Sequence, residues 1–128
     1  MLQSRILYQH WAFCKYPLAL QHHFHLYQYP LLANRFSTAL VVREQHGRDE
    51  SSFEAPPPAA VVFALSTADV ATAVKLASQY SVPVIAFGVG TSLEGHLLAV
   101  QGGISIDLSR MNQVLAINAD DLTVTVQA

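Results

Sequence analysis

Hydrophobic and polar positions are distributed unevenly along this chain. From Phe36 onward they fall into short regular blocks, whereas before it neither a period of 3.6 nor a period of 2 persists. Residues 59–65 form an apolar run rich in Val and Phe, the pattern of a strand buried on both faces. Ser66, with Asp69 three positions on, is a variant of the capping box and predicts the start of a helix. Val70, Ala73, Val74 and Ala77 then recur at helical spacing, with Lys75 and Gln79 on the opposite side. That helix is expected to end near Tyr80 or Ser81, ahead of Pro83. Residues 84–87 read as a second buried strand, so the three elements predict a βαβ unit with parallel strands and a right-handed crossover.

Residues 104–108, 114–118 and 122–127 supply three more short aliphatic strands, with Ala119-Asp120-Asp121 as a hairpin turn between the last two. The fold class is therefore α+β, a βαβ unit followed by short strands. Residues 44–54 are polar and charged, and Pro56-Pro57-Pro58 makes a stiff extended connector into the first strand. The sequence stops at Ala128, directly after a strand, and a hydrophobic strand without a closing element is expected to continue into further structure.

Residues 1–35 stand apart. They contain no acidic residue but hold Tyr8, Trp11, Phe13, Tyr16, Phe24, Tyr27 and Tyr29, and Pro17 and Pro30 interrupt any long helix. They are expected to form an atypical, poorly structured extension, with residues 36–128 as the folded unit. A lack of acids is shared with mitochondrial presequences, yet those are Arg- and Ser-rich, and only Arg5 and Ser4 precede residue 34 here. Targeting is the less favoured reading. His22, His23 and His25 lack the i, i+4 spacing that puts two imidazoles on one helical face, so no metal site is expected from them.

Composition narrows the function classes. Of 128 residues 52% are hydrophobic and only 12% charged, which excludes a disordered tail and suggests surface that something else covers. Seven Lys/Arg against nine Asp/Glu leave no cluster of positive charge for nucleic acid. The single Cys14 excludes an internal disulfide, and the longest apolar run is far short of the ~18 residues that span a membrane. The expected compartment is reducing and aqueous: the cytoplasm, at most peripheral to a membrane.

The chemistry lies in residues 87–96, Phe-Gly-Val-Gly-Thr-Ser-Leu-Glu-Gly-His. Three glycines in eight positions free the backbone for φ > 0 and for close approach to a ligand. Successive N–H groups in such a turn make an anion nest, and Thr91 and Ser92 add hydroxyl donors. With no Lys or Arg in the loop, backbone dipoles must hold the negative charge, an arrangement suited to a pyrophosphate. A Walker-type loop is excluded by the missing Lys. A Rossmann fingerprint is excluded because Leu93 occupies the third glycine's place and too little chain follows for a crossover helix. A plain glycine turn without a ligand is the competing reading.

The strand 84–87, the loop 88–96 and the segment 102–112, Gly-Gly-Ile-Ser-Ile-Asp-Leu-Ser-Arg-Met-Asn, resemble FAD-linked oxidases of the vanillyl-alcohol oxidase / p-cresol methylhydroxylase type. Within these they are most similar to the branch of D-lactate dehydrogenases and glycolate oxidase FAD subunits, as is the upstream His46-Gly47-Arg48-Asp49-Glu50-Ser51. The resemblance covers roughly residues 36–128. It implies the first part of a p-cresol methylhydroxylase-type FAD-binding domain, with Gly88, Val89, Gly90, Thr91, Ser92, Leu93, Gly95 and His96 around the FAD pyrophosphate. Thr91 and Ser92 stand where some relatives carry a flavin-linking His, so FAD is expected to be non-covalent. For His96 a capping or packing role competes equally. His46, Arg48 and Asp49 are expected to order the segment leading into the domain, and Asp107 and Arg110 to be structural at a strand end.

The family's reaction is oxidation of a 2-hydroxy acid, D-lactate above all, with electrons passing from FAD to an acceptor. Family members are several times longer, and no catalytic base is assigned in this chain. An inactive truncated remnant and a half-domain completed by a separately encoded chain are the alternatives.

Overall fold

The computed structural model describes residues 33–127, so the aromatic segment, its histidines and Cys14 lie outside the described residues. A short 3-10 turn at Ala33–Arg35 leads into β1 (Phe36–Ser37), α1 (Leu40–Gln45), β2 (Ala60–Phe63), α2 (Thr67–Gln79), β3 (Val84–Phe87) and β4 (Ile104–Asp107). β5 (Val114–Asn118) and β6 (Thr123–Val126) follow as a separate antiparallel hairpin.

The four-stranded sheet has the order β1-β2-β4-β3. β2 and β3 are both parallel to β4, and β1 runs antiparallel to β2. The expected parallel strands are therefore present, but they do not touch: β4 lies between them. Ala60 and Val84 both pair with Ile104, and Phe63 and Phe87 both pair with Asp107. All four β4 residues are buried, and β3 becomes an outer strand. That corrects the expectation of a second buried strand at 84–87: Val84 is 40% exposed and Ala86 is exposed too, because the central place went to β4.

α2 starts where the capping residue predicts. Ser66 is the N-cap, extended at φ −153°, and its hydroxyl accepts from the Asp69 N–H at 3.3 Å. The Asp69 carboxylate does not close the reciprocal bond to the Ser66 backbone; it accepts from the Leu65 N–H at 2.9 Å and pairs with Arg35. Burial pushes the Asp69 carboxyl up, but Leu65, Ser66 and Arg35 outweigh it and hold the group below the usual carboxylate range. Arg35 thus ties the start of the described chain to the helix. At its other end, α2 is closed by the Val82 N–H on the Ala77 carbonyl and the Ser81 N–H on Ser78, with Ser81 at φ +53°. This is a Schellman closure with serine in the position glycine usually takes.

Ala73, Leu76 and Ala77 of α2 bury against Ala60, Val62, Ala64, Ile104, Ile106 and Met111. Val74, expected on this apolar stripe, is instead 44% exposed, because the buried arc runs through 69, 73, 76 and 77. α1, with no buried residue and only six residues long, has no counterpart in the hydrophobic pattern. The hairpin forms at the expected place. Asn118 Oδ1 accepts from the N–H groups of Asp120 and Asp121, and Leu122 completes the reversal at φ +53°.

Gly103, at φ +99°, lets β4 enter the sheet. A Cβ there would lie 2.2 Å from the Pro83 carbonyl oxygen, which accepts the Ile104 N–H at 2.9 Å. Gly103→Ala combines a forbidden contact with a left-handed φ and is expected to cost about 3 kcal/mol, read by urea unfolding. Asp69→Asn is expected to cost about 2 kcal/mol at neutral pH. Because the folded Asp69 titrates below its unfolded value of about 4, its contribution is complete above that pH and fades as pH falls through the folded value. The gap between the two unfolding curves should therefore narrow below about pH 4 and stay constant above about pH 5.

Candidate functional site

The carboxyl ends of β2, β3 and β4 point the same way, and the loop 88–96 leaves the sheet at that edge. Ligands of open parallel sheets bind there, outside the strand ends. The loop is surface-borne: Val89 is 80% exposed, and Gly88, Thr91, Leu93, Glu94 and His96 are exposed as well. All eight candidate residues thus lie on one continuous loop, with Gly90, Ser92 and Gly95 half-buried at its inner side.

Two of the three loop glycines use their conformational freedom. Gly90 sits at φ +81° over the Phe87 ring, and Gly95 at φ +75° against Phe53 and Leu98. Gly88 does not take a positive φ; it leaves space, since a Cβ there would meet nothing within 4 Å. Ser92 Oγ lies 3.1 Å from His96 Nδ1, giving His96 a partner within the loop. Past the loop, the buried run Leu97, Leu98 and Ala99 anchors it to the domain.

A strap of residues 46–51 supports the loop from the inside. The Glu50 N–H donates to the Ser92 carbonyl at 2.9 Å. Asp49 Oδ1 accepts from the Ser51 hydroxyl at 2.6 Å and from the Ser51 N–H at 3.1 Å. The Ser51 hydroxyl above all holds the Asp49 carboxyl below the usual range, against desolvation. At the strap's root His46 is buried, with Nδ1 2.8 Å from the Val42 carbonyl and Nε2 2.9 Å from Asp107 Oδ2. The ring is flanked by Phe87 at 4.3 Å and Phe63 at 5.6 Å between centroids. Asp107 Oδ1 accepts from the Ser109 N–H at 2.7 Å. Burial raises the Asp107 carboxyl, and Ser109 and His46 together more than reverse it, leaving it lowered. Arg110 lies over the Phe63 ring at 4.7 Å.

The strap is what the sequence understates. His46 and Asp107 are 61 residues apart, and no local period links them. Only the polar composition of 44–54 beside an aspartate at the end of an apolar strand signals a buried polar pair.

Comparison with known proteins then decides the family. The model of the FAD binding domain family matches residues 58–128, taking in β2, α2, β3, the glycine loop and β4. This chain belongs to that family. A probable mitochondrial D-lactate dehydrogenase of Danio rerio is 45% identical over 91 residues, covering 71% of this chain and 18% of the relative. The mitochondrial D-lactate dehydrogenase [cytochrome] of Arabidopsis thaliana is 36% identical over 99 residues, covering 76% and 18%. The chain therefore spans about a fifth of the length of these curated relatives. Among solved structures, alkyldihydroxyacetonephosphate synthase superposes with a TM-score of 0.72 at 24% identity, covering 84% of this chain and 22% of that one. p-Cresol methylhydroxylase with substrate bound gives 0.59 at 20% identity, covering 69% and 18%. The fold is that of the p-cresol methylhydroxylase-type FAD-binding domain. Among the described residues no helix is long and apolar enough to cross a membrane.

Proposed function

We propose that residues 36–128 are the N-terminal part of the FAD-binding domain of a flavin-dependent 2-hydroxy-acid dehydrogenase, with residues 1–35 an extension joined to it where Arg35 pairs with Asp69. In this reading Gly88, Val89, Gly90, Thr91, Ser92, Leu93, Gly95 and His96 surround the FAD pyrophosphate. The observation that carries it is the open flank of Gly88 on a loop that leaves the carboxyl ends of three parallel strands. Backbone N–H groups and the Thr91 and Ser92 hydroxyls suit a non-covalently held pyrophosphate, and the loop's one formal charge, Glu94, is exposed. A flavin held there would supply the redox chemistry, with the loop residues binding and orienting it. This chain's own residues bind and orient; none is assigned to take a proton from the substrate.

D-lactate is the proposed substrate, supported by the names of both relatives, with an electron acceptor completing the cycle. For the compartment, the cytoplasmic expectation stands against the word mitochondrial in both names. Following the tagged chain in fractionated cells decides between them.

Two glycines separate binding from folding. In a complete flavoenzyme carrying this domain, Gly88→Ala should leave the melting temperature within about 2 °C while reducing FAD affinity about tenfold. Gly90→Val, which adds backbone strain to obstruction, should lose most bound flavin. Unchanged flavin content in both variants removes the loop from the site.

Expressed alone, the 128-residue chain should hold FAD weakly and not oxidise D-lactate, since a pyrophosphate nest fixes only one part of a long cofactor. Flavin absorbance and D-lactate-driven reduction of an artificial acceptor are the measurements. A yellow protein that turns over D-lactate sinks this reading of the chain as a portion of the enzyme.

A further inference from the structure

His46 is 6% exposed, and both of its ring nitrogens face oxygen acceptors. A carbonyl only accepts, so the nitrogen facing Val42 carries a hydrogen. Asp107 Oδ2 belongs to a carboxyl group, so a second hydrogen lies between it and Nε2. The pair is therefore held by hydrogen bonds at both ends of one ring, joining α1 to the carboxyl end of the central strand.

We propose that the His46–Asp107 pair is a positioning clamp for the glycine loop, acting through the strap that ends on Ser92. The route is short and stiff. Gly47 follows His46 with no room to yield, since a Cβ there would lie 2.9 Å from Pro57 Cα and 3.2 Å from Pro58 Cδ. Asp49 then closes on Ser51 with two hydrogen bonds, which fixes the turn that aims the Glu50 N–H. That N–H holds the Ser92 carbonyl, and so sets how the Ser92 hydroxyl and the neighbouring amides are presented. Phe87, the last residue before the loop, packs at a tilt against the same imidazole, so the ring touches the loop's root as well as its support. His46 and Asp107 are thus positioning residues that act through the loop. The purpose of the clamp rests on the flavin reading above, but its mechanical role is tested without flavin.

Two substitutions at Asp107 separate positioning from bulk stability. Asp107→Asn keeps an amide that donates to Nε2 of a singly protonated ring and a carbonyl that accepts the Ser109 N–H. Asp107→Ala removes both. Backbone 15N order parameters of the full chain are the readout, with α2 as the internal control for the fold. In the unsubstituted chain Ser92 and Leu93 should stand at about 0.8; Asp107→Ala should bring them below about 0.6, and Asp107→Asn should restore them, with α2 unchanged throughout. In the complete flavoenzyme, Asp107→Ala should weaken FAD about tenfold and Asp107→Asn less than about threefold. The clamp is overturned if Ser92 is already loose in the unsubstituted chain, if Asp107→Ala leaves it unchanged, if α2 loosens equally, or if Asp107→Asn behaves like Asp107→Ala. Should Asp107→Ala not fold, Glu50→Pro decides: it removes the one N–H on the Ser92 carbonyl and should loosen Ser92 and Leu93 alone, while an unchanged loop overturns the clamp. Gly90→Val judges the flavin reading separately. Full flavin retention there defeats that reading and leaves the clamp standing, whereas flavin loss there beside an indifferent Asp107→Ala defeats the clamp alone.

Discussion

β4 is closed to water along its whole length, and that burial governs what its residues must do. Ile104 and Ile106 join the α2 core, where truncating either to Ala would cost about 2–5 kcal/mol. Asp107, next in line, carries a carboxylate into the same enclosed strand and requires partners there. It finds them in the Ser109 N–H and the His46 ring, so the demand of one buried charge draws α1 and the strap to the end of the sheet. The glycine loop is then held between the strand that launches it and the strap beneath it. A polar requirement in the core and the geometry of a ligand site on the surface become a single problem with a single solution.

The same logic explains which parts of the fold were legible in the sequence. Ser66 marked the start of α2 because a cap is a local interaction, and Asn118 to Leu122 made the hairpin turn from side-chain–backbone bonds within five residues. The strands at 60–63, 104–107, 114–118 and 123–126 were visible as short aliphatic runs. Their neighbours were not. An apolar run states that a strand is wanted inside, not who flanks it, so 84–87 looked as central as 104–107 until β4 displaced it. Val74 misled for a related reason: helical spacing fits either side of a narrow stripe, and only the sheet decides which arc is covered. The glycine loop was recognisable by composition, yet its division of labour was not. Gly90 and Gly95 supply backbone conformations, whereas Gly88 supplies room.

β5 and β6 show the other face of a low charge content. Val114, Leu115, Ile117, Val124 and Val126 are each more than half exposed, and Ile117 reaches 73%. The hairpin is well made from within, with Gln127 and Gln113 bonded across its open end. Its aliphatic side chains nevertheless gain almost nothing from their own fold, and a hairpin alone is marginal in water. The sequence chose residues for a covered sheet, and 12% charged residues over the chain leave few groups to keep such a surface apart from others.

The order β1-β2-β4-β3 also dictates a sequence of events. β2 and β3 are separated by one full strand, a gap of roughly 9.6 Å that neither can bridge. The helix between them can form early, and β2 can pair with β1, but neither β2 nor β3 has its parallel partner until residues 104–107 arrive. During synthesis, one edge of β2 and the whole of β3 therefore wait open while another sixteen residues, 88 to 103, and then β4 itself leave the ribosome. Closure is a single late insertion that completes both ladders at once, a non-local step of the kind that slows folding. The glycine loop is the tether for that insertion, so its length and bend serve the assembly of the domain before they serve any ligand.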